Sequence, residues 1–370
     1  MFVTPKQRML NAYRGLEVDK TPVAPEFWIY YPAKLLGLNM IEFEREIPFW
    51  QALKHTFEHF NCEGWGITGA GNIIADMKTS WKTTKVNENQ YMDTATIMYR
   101  GTEFETITRR DKDEPAWRIK HMVSNIRDLP VALAMYFNEE NGLDFSGAIS
   151  AYNSVGESYL LEIGIGCPFF DFIAELLGFE KAAMYFNDEE ESVLDSYLER
   201  YTEYQLNKIR EIAKNTPFES FFIGCSYSCN SLIGKNMWRR WDKPYIKAAV
   251  DEIHKANRLV HIHFHGGSIE TAADFAEIGI DCVCPFERPP GGDVAGLEGL
   301  KYVRSALADK VAFNGNVHTV ETLIRGNPED VRREVREIRE AFAGSNRLII
   351  GTGDQVGKET PDENIYAMLE

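Results

Sequence analysis

The chain has no apolar run of the roughly 18 residues that a membrane span requires, so none is expected. Its opening, Met1-Phe2-Val3-Thr4-Pro5-Lys6, lacks the basic-then-apolar order of a secretory signal, which points to a cytoplasmic protein. Cysteine is scarce. Six residues (Cys62, Cys167, Cys225, Cys229, Cys282, Cys284) are too few and too irregularly spaced for a secreted disulfide framework, and reduced thiols are expected. Positive charge is also short, with 40 Lys and Arg against 56 Asp and Glu and a formal charge of −16. That balance excludes nucleic acid and anionic membrane surfaces as natural partners, and it disfavours substrates rich in carboxylates. Gly69-Ala-Gly71 and Gly351-Thr-Gly-Asp354 lack the third glycine and the context of a dinucleotide site. There is no internal repeat, low-complexity tract or long linker.

Aromatic residues, in contrast, are plentiful: 7 Trp, 16 Tyr and 22 Phe exceed what packing alone needs and hint at an aromatic-lined pocket. The most informative segment is Val260-His261-Ile262-His263-Phe264-His265-Gly266-Gly267. Alternation with period two predicts a strand with the three imidazoles on one face. Alternate Cα atoms lie about 6.6 Å apart, so two neighbouring histidines can share one metal ion but all three cannot easily do so. Imidazole is a common ligand of zinc.

Short apolar runs alternate with amphipathic helical stretches along the chain. The predicted strands are Pro22–Phe27, Gly64–Thr68, Tyr159–Ile163, Ser220–Gly224, Leu259–His263, Cys282–Phe286, Val311–Asn314 and Leu348–Gly351. The clearest helical periodicity lies in Ser192–Ala213, Pro244–Ala256 and Glu329–Phe342. Eight such units predict one (β/α)₈ TIM barrel domain over residues 1–370, with its site where strands end and loops begin. Thr94–His121 breaks the rhythm and reads as a β-hairpin inserted after the second strand, with Gly101 in the turn.

In such a barrel the late strands bring His263 and His265, Cys284 and Glu287, Asn314 and Asn316, and Asp354 to one mouth. Several of these have plain structural readings. Asp293 after Gly-Gly suits a helix N-cap, Asn314 and Asn316 suit loop backbone bonding, and Cys282 and Cys284 alternate as barrel packing. Cys225 and Cys229 give only a weak metal pattern, and His55 and His59 read as a helix face.

Thr4-Pro-Lys-Gln-Arg8, Ala12-Tyr-Arg-Gly15 and Val18-Asp-Lys-Thr-Pro22 resemble the opening of the uroporphyrinogen decarboxylase superfamily. Pro285-Phe-Glu-Arg-Pro-Pro-Gly-Gly-Asp293, Asn314-Gly-Asn316 and Thr360-Pro-Asp-Glu-Asn364 resemble its late barrel loops, and the likeness spans nearly the whole chain. True decarboxylases of that superfamily carry an early arginine-rich segment that grips porphyrinogen carboxylates. Here the equivalent stretch is Glu26-Phe-Trp-Ile-Tyr-Tyr-Pro32, aromatic and without arginine. The resemblance therefore favours the cobalamin-dependent methyltransferase branch.

The branch that alkylates coenzyme M binds zinc through His-x-Cys and a distant Cys. By that resemblance His263 matches the His, His265 stands in place of the first Cys, and Asp354 falls at the last, with Thr352 one small shift away. The implied zinc ligands are His263, His265 and Asp354. Should Asp354 lie far from both histidines, Glu287 or Cys284 becomes the next candidate. Two imidazoles and a carboxylate leave zinc a harder acid than two thiolates do, suited to an ether oxygen.

The resulting expectation is an aromatic O-demethylase component. It would take a methyl group from a small methoxylated aromatic and pass it to the Co(I) centre of a separate corrinoid protein. No Asp-x-His-x-x-Gly cobalamin-ligating motif occurs in the chain, so corrinoid is expected on a partner. Tyr227 and Glu287 are candidate proton donors, and Trp28, Tyr30, Tyr31, Trp65, Phe169 and Phe170 candidate substrate walls. A homodimer is left open. The alternatives are a thiol- or folate-directed methyltransferase, a decarboxylase of the same superfamily, and a non-catalytic metal- or small-molecule-binding barrel.

Overall fold

The computed structural model describes residues 3–370. Eight parallel strands form one sheet: β1 (Val23–Ala24), β2 (Trp65–Gly69), β3 (Leu160–Gly164), β4 (Ser220–Cys225), β5 (Leu259–Phe264), β6 (Cys282–Pro285), β7 (Ala312–Val317) and β8 (Leu348–Thr352). They run in the order β1-β8-β7-β6-β5-β4-β3-β2, so from β2 to β8 sequence neighbours lie side by side. The two strands at the ends of that order, β1 and β2, are consecutive in the chain, and helices separate the strands. This is the (β/α)₈ barrel that the alternation predicted.

Most of the strands are buried on both faces, which is why runs such as Leu348–Ile350 read as continuously apolar. Phe221, Ile223, Val260, Ile262, Phe264 and Val283 join the core beneath the helices. Their neighbours Phe222, Leu259, Cys282 and Cys284 join Trp65, Leu160, Ala312 and Ile349 in a second cluster. That second cluster is the barrel interior. Helix Pro5–Arg14, capped by Thr4, contributes Met9, Leu10, Ala12 and Tyr13 to it and stoppers the barrel from below. Arg347 ties this helix to β8 by bonding the carbonyls of Tyr13 and Arg14.

The expected hairpin is present but is part of a larger insertion. Strands Gln90–Tyr99 and Thr102–Asp111 flank a turn in which Arg100 (φ 47°) and Gly101 (φ 86°) are both left-handed, as a two-residue hairpin turn demands. Two further strands, Met77–Lys85 and Trp117–Lys120, complete a four-stranded antiparallel sheet. The insertion therefore begins well before residue 94. A ribbon pairing Gly71–Ile73 with Gly142–Asp144 closes its base. Among the described residues, no helix is long and apolar enough to cross a membrane.

Candidate active site

The register of β4, β5 and β6 sets the centre. Phe222 pairs with His261 and His261 with Cys282, while Gly224 pairs with His263 and His263 with Cys284. Side chains alternate, so His261, His263 and Cys284 share the interior face at successive depths. They are joined in a continuous line. Fully buried Glu162 lies 2.7 Å from His261 Nδ1 and accepts the Ser220 hydroxyl at 2.6 Å. His261 Nε2 lies 3.0 Å from Cys284 Sγ, which lies 3.0 Å from His263 Nδ1. His263 Nε2 meets His265 Nε2 at 2.8 Å, and His265 Nδ1 meets Glu287 Oε1 at 2.8 Å. His261 lies one step deeper than His263 and is fully hydrogen-bonded, with the Tyr13 hydroxyl 3.1 Å from its Nδ1.

The loops at the strand ends are shaped around these groups. Glu287 Oε1 also accepts the Gly266 N–H at 2.9 Å. Gly266 is left-handed (φ 70°), and a Cβ there would strike Ser231. Gly292 packs its Cα on the Glu287 carbonyl, leaving no room for a side chain. Asp293 accepts the backbone N–H groups of Ser268 and Ile269, so it caps the turn after β5 rather than a helix of its own. Asn316 donates to the carbonyls of Phe286 and Val294, whereas the buried Nδ2 of Asn314 has no partner among the described residues.

The groups whose ligand atoms converge within 4.8 Å of one another are Glu26, His263 and Cys284. Glu26 comes from the loop after β1, where its N–H bonds Thr352 Oγ1 at 3.0 Å and its carbonyl accepts from Val356. Its carboxylate lies 3.9 Å from His263 Nδ1. Burial pushes this carboxyl well above its ordinary range, and the charges of Asp354 and Glu287 add to the effect. Burial likewise lifts the Cys284 thiol, with Glu26 reinforcing it. Burial lowers His263, with His265 and His261 acting in the same direction. Burial also opposes protonation of His265, yet its bond to Glu287 and the charge of Asp354 leave it raised. A dication would relieve the crowding of carboxyl groups, and a carboxylate, an imidazole and a thiol are accepted zinc donors. The residues present fit a zinc ion.

Asp354 stands on the loop after β8, raised by burial and lowered by His265, with its Oδ1 accepting from Gln355. It shares the electrostatic neighbourhood of His265 without joining the converging set. Thr352 is occupied by the Glu26 backbone. Trp65 stands edge-on to His261 (4.7 Å) and near His263 (5.9 Å), stacked on Phe222, and half-buried Trp28 leans on it. Trp65 thus lies beside the histidine row, with Trp28 behind it.

Phe169, Phe170 and Tyr31 lie elsewhere, whereas the Tyr30 hydroxyl feels the charge of Asp354. Phe169 and Phe170 are fully buried against Phe186, because the helix they begin turns them into the core. Tyr31 is buried with its hydroxyl on Asp362, and the Tyr30 hydroxyl donates to Glu114 on the insertion. Tyr227 packs on Phe179, and its N–H and those of Ser226 and Ser228 converge on Asp171. Burial and the charges of Glu175 and Asp171 raise the Tyr227 hydroxyl, which keeps it in its donor form.

Sequence reasoning missed Glu26 and Glu162. Glu26 sat inside a predicted strand, 237 residues from His263, and only barrel closure brings the two together. Glu162 lay within a strand that otherwise reads as apolar.

The fold and site together define a (β/α)₈-barrel protein whose interior carries a row of polar side chains able to hold a metal. The sequence profile of the uroporphyrinogen decarboxylase (URO-D) family matches residues 163–370, more than half of the chain, and the protein belongs to that family. No curated protein matches the chain by sequence. Among solved structures, a methyltransferase from Methanosarcina mazei is similar over 100% of this chain and 98% of its own, with a TM-score of 0.65 at 16% identity. The intracellular xylanase TsXylA from Thermoanaerobacterium saccharolyticum is matched over 60% of this chain and 73% of its own, with a TM-score of 0.33 at 10% identity. The first likeness extends the barrel fold over the full chain; the second is too low to carry weight.

Proposed function

We propose that this protein is a methyltransferase that demethylates a small methoxylated aromatic and passes the methyl group to the Co(I) centre of a separate corrinoid protein. The observation that carries this reading is the convergence of Glu26, His263 and Cys284 in a mouth whose other charged groups are carboxylates and imidazoles. Arg288, the neighbouring guanidinium, is engaged by the Asn316 carbonyl and Glu337, which disfavours a polycarboxylate substrate. The fold shared with a methyltransferase supports the same reading.

Zinc held by Glu26, His263 and Cys284 would supply Lewis acidity towards the leaving oxygen of the methyl donor. This set contains one thiol where His263, His265 and Asp354 would contain none, so the site is softer than expected and proton donation matters more. The protein's own residues then divide the work. With His263 Nδ1 directed at Glu26 and Cys284, its Nε2–H donates to His265 Nε2, and the His265 Nδ1–H donates to Glu287. Glu287 and His265 thus orient His263, as partners of ligating histidines do. Trp28 and Trp65 hold an aromatic ring. The Tyr227 hydroxyl supplies a proton to the leaving oxygen.

The test is a panel of methyl donors incubated with the zinc-loaded protein and a reduced corrinoid protein. Release of a phenol that requires both components supports the proposal. Phenol release without corrinoid protein, or carbon dioxide release from an arenecarboxylate, would replace it.

A further inference from the structure

The antiparallel sheet of the insertion has two unlike edges. Strand Trp117–Lys120 is four residues long and meets its neighbour through an irregularity between Ile107 and Thr108. Shortness and bulges are common means of keeping foreign strands off an edge. Strand Met77–Lys85 uses neither. It pairs with Gln90–Tyr99 over all nine residues without a register break, and every residue after Met77 is exposed. The Val86 N–H bonds the Gln90 carbonyl, so in this ladder the even-numbered residues turn their backbone groups towards the neighbouring strand. Thr79, Trp81 and Thr83 therefore present their N–H and C=O groups outward, and no further strand of the described chain pairs with them.

Two features flank this edge. On the face turned to the barrel, Trp81 is 73% exposed. With Ile97, Met135, Phe172 and Leu176 it lines a groove of about 440 Å³ beneath the sheet, whose charged groups are one Arg118 and one Glu175. On the outer face stand Lys78 and Lys82, both exposed and neither paired with an acid among the described residues. The insertion is also the basic part of an acidic chain. Residues 77–120 hold nine Lys and Arg against seven Asp and Glu, whereas the other residues hold 31 against 49.

We infer that the edge Met77–Lys85 receives an extended segment of a partner protein as a fifth strand, with acidic residues beside Lys78 and Lys82 and an apolar residue entering the groove beside Trp81. In strand addition the main chain supplies affinity, and alternate side chains supply specificity. Here the two faces ask for different side chains: the groove for an apolar one, the lysines for carboxylates. A second copy pairing through the same edge would crowd Lys78, Lys82 and Lys85 of both copies together, which disfavours it. The site does not depend on the reaction proposed for the mouth.

Fluorescence anisotropy of the labelled peptide acetyl-Glu-Thr-Glu-Leu-Glu-Thr-Glu-amide, titrated with the full-length protein, tests it. Binding should saturate, and the same peptide with Lys for every Glu should bind at least about tenfold more weakly. Thr79→Pro removes one outward N–H without touching the existing ladder, and should weaken the acidic peptide by about tenfold or more. The double variant Lys78→Glu with Lys82→Glu should do the same, and Trp81→Ala should weaken it by about fivefold. The inference fails if the acidic peptide does not bind, if the lysine peptide binds as well, or if any of these variants, folded by circular dichroism, binds the acidic peptide unchanged. It also fails if the unsubstituted protein sediments as a dimer that Thr79→Pro dissociates, since a second copy then holds the edge.

Discussion

The Nε2 atoms of His263 and His265 face each other at 2.8 Å, so one ring must donate the hydrogen that the other accepts. Glu287 decides which. When both rings are neutral, its acceptance from His265 Nδ1 leaves His265 Nε2 bare, and the shared hydrogen then belongs to His263. His263 is thereby held in the tautomer whose Nδ1 is free to ligate.

Zinc content separates the two ligand sets. Metal analysis after zinc loading should show His263→Ala and Cys284→Ala depleted, and Glu26→Gln weakened. His265→Ala should bind zinc about 10- to 100-fold more weakly, as loss of an orienting partner does, and should lose demethylation. Zinc retained in Cys284→Ala but lost in Asp354→Asn would restore the set His263, His265 and Asp354. Full demethylation by metal-free His265→Ala protein would remove zinc from the mechanism altogether.

Tyr227→Phe should keep its zinc and slow turnover by about 10²-fold or more, the usual weight of a positioned proton donor. Since the ring's packing on Phe179 survives the substitution, thermal stability should hardly move. An unchanged rate in a single-turnover assay would relieve Tyr227 of that role and no other.

Glu162→Ala should destabilise the fold. Glu162 and His261 are both fully inaccessible, and the substitution strips partners from His261 and Ser220 together. Leaving buried polar groups unpaired costs roughly 1–3 kcal/mol each. A denaturant midpoint equal to that of the unsubstituted protein would show that another group takes over the bond.

Stability should fall as pH rises from about 4 to 8. Ser228 links two buried acids, its N–H on Asp171 and its hydroxyl on Asp242, both at 2.7 Å. Burial, outweighing the hydrogen bonds they accept, lifts Asp171 to about 7 and Asp242 to about 8. The unfolded carboxyls release their protons near pH 4, so across this window the folded chain binds more protons than the unfolded one. Unfolding releases them, and higher pH favours it; above the folded values the effect levels off. Melting temperature against pH should be flatter in Asp242→Asn, and an unaltered slope would count against the pair.

The barrel was legible because strands buried on both faces, such as Phe221–Ile223 and Leu348–Ile350, leave continuous apolar runs between periodic helices. The edge strand Met77–Lys85 was not. Its residues are nearly all exposed, so no apolar alternation marks it, and only pairing with Gln90–Tyr99 reveals it. The histidine row was visible through its local period of two. Glu26 was hidden by sequence distance, and Cys284 by chemistry, since a thiol on an interior strand face reads equally as packing or as ligand. Phe169 and Phe170 show the converse limit: aromatic residues near a strand end reach the mouth or the core according to the helix that follows.

Helix Pro5–Arg14 makes the barrel a blind well, closed where Tyr13 meets His261. Reactants and products must share one doorway. If a protein acceptor covers that doorway, the small donor has to arrive first, and the demethylated product can depart only after the acceptor has moved away. Turnover then obeys a compulsory sequence, and excess acceptor protein would inhibit by trapping the product inside.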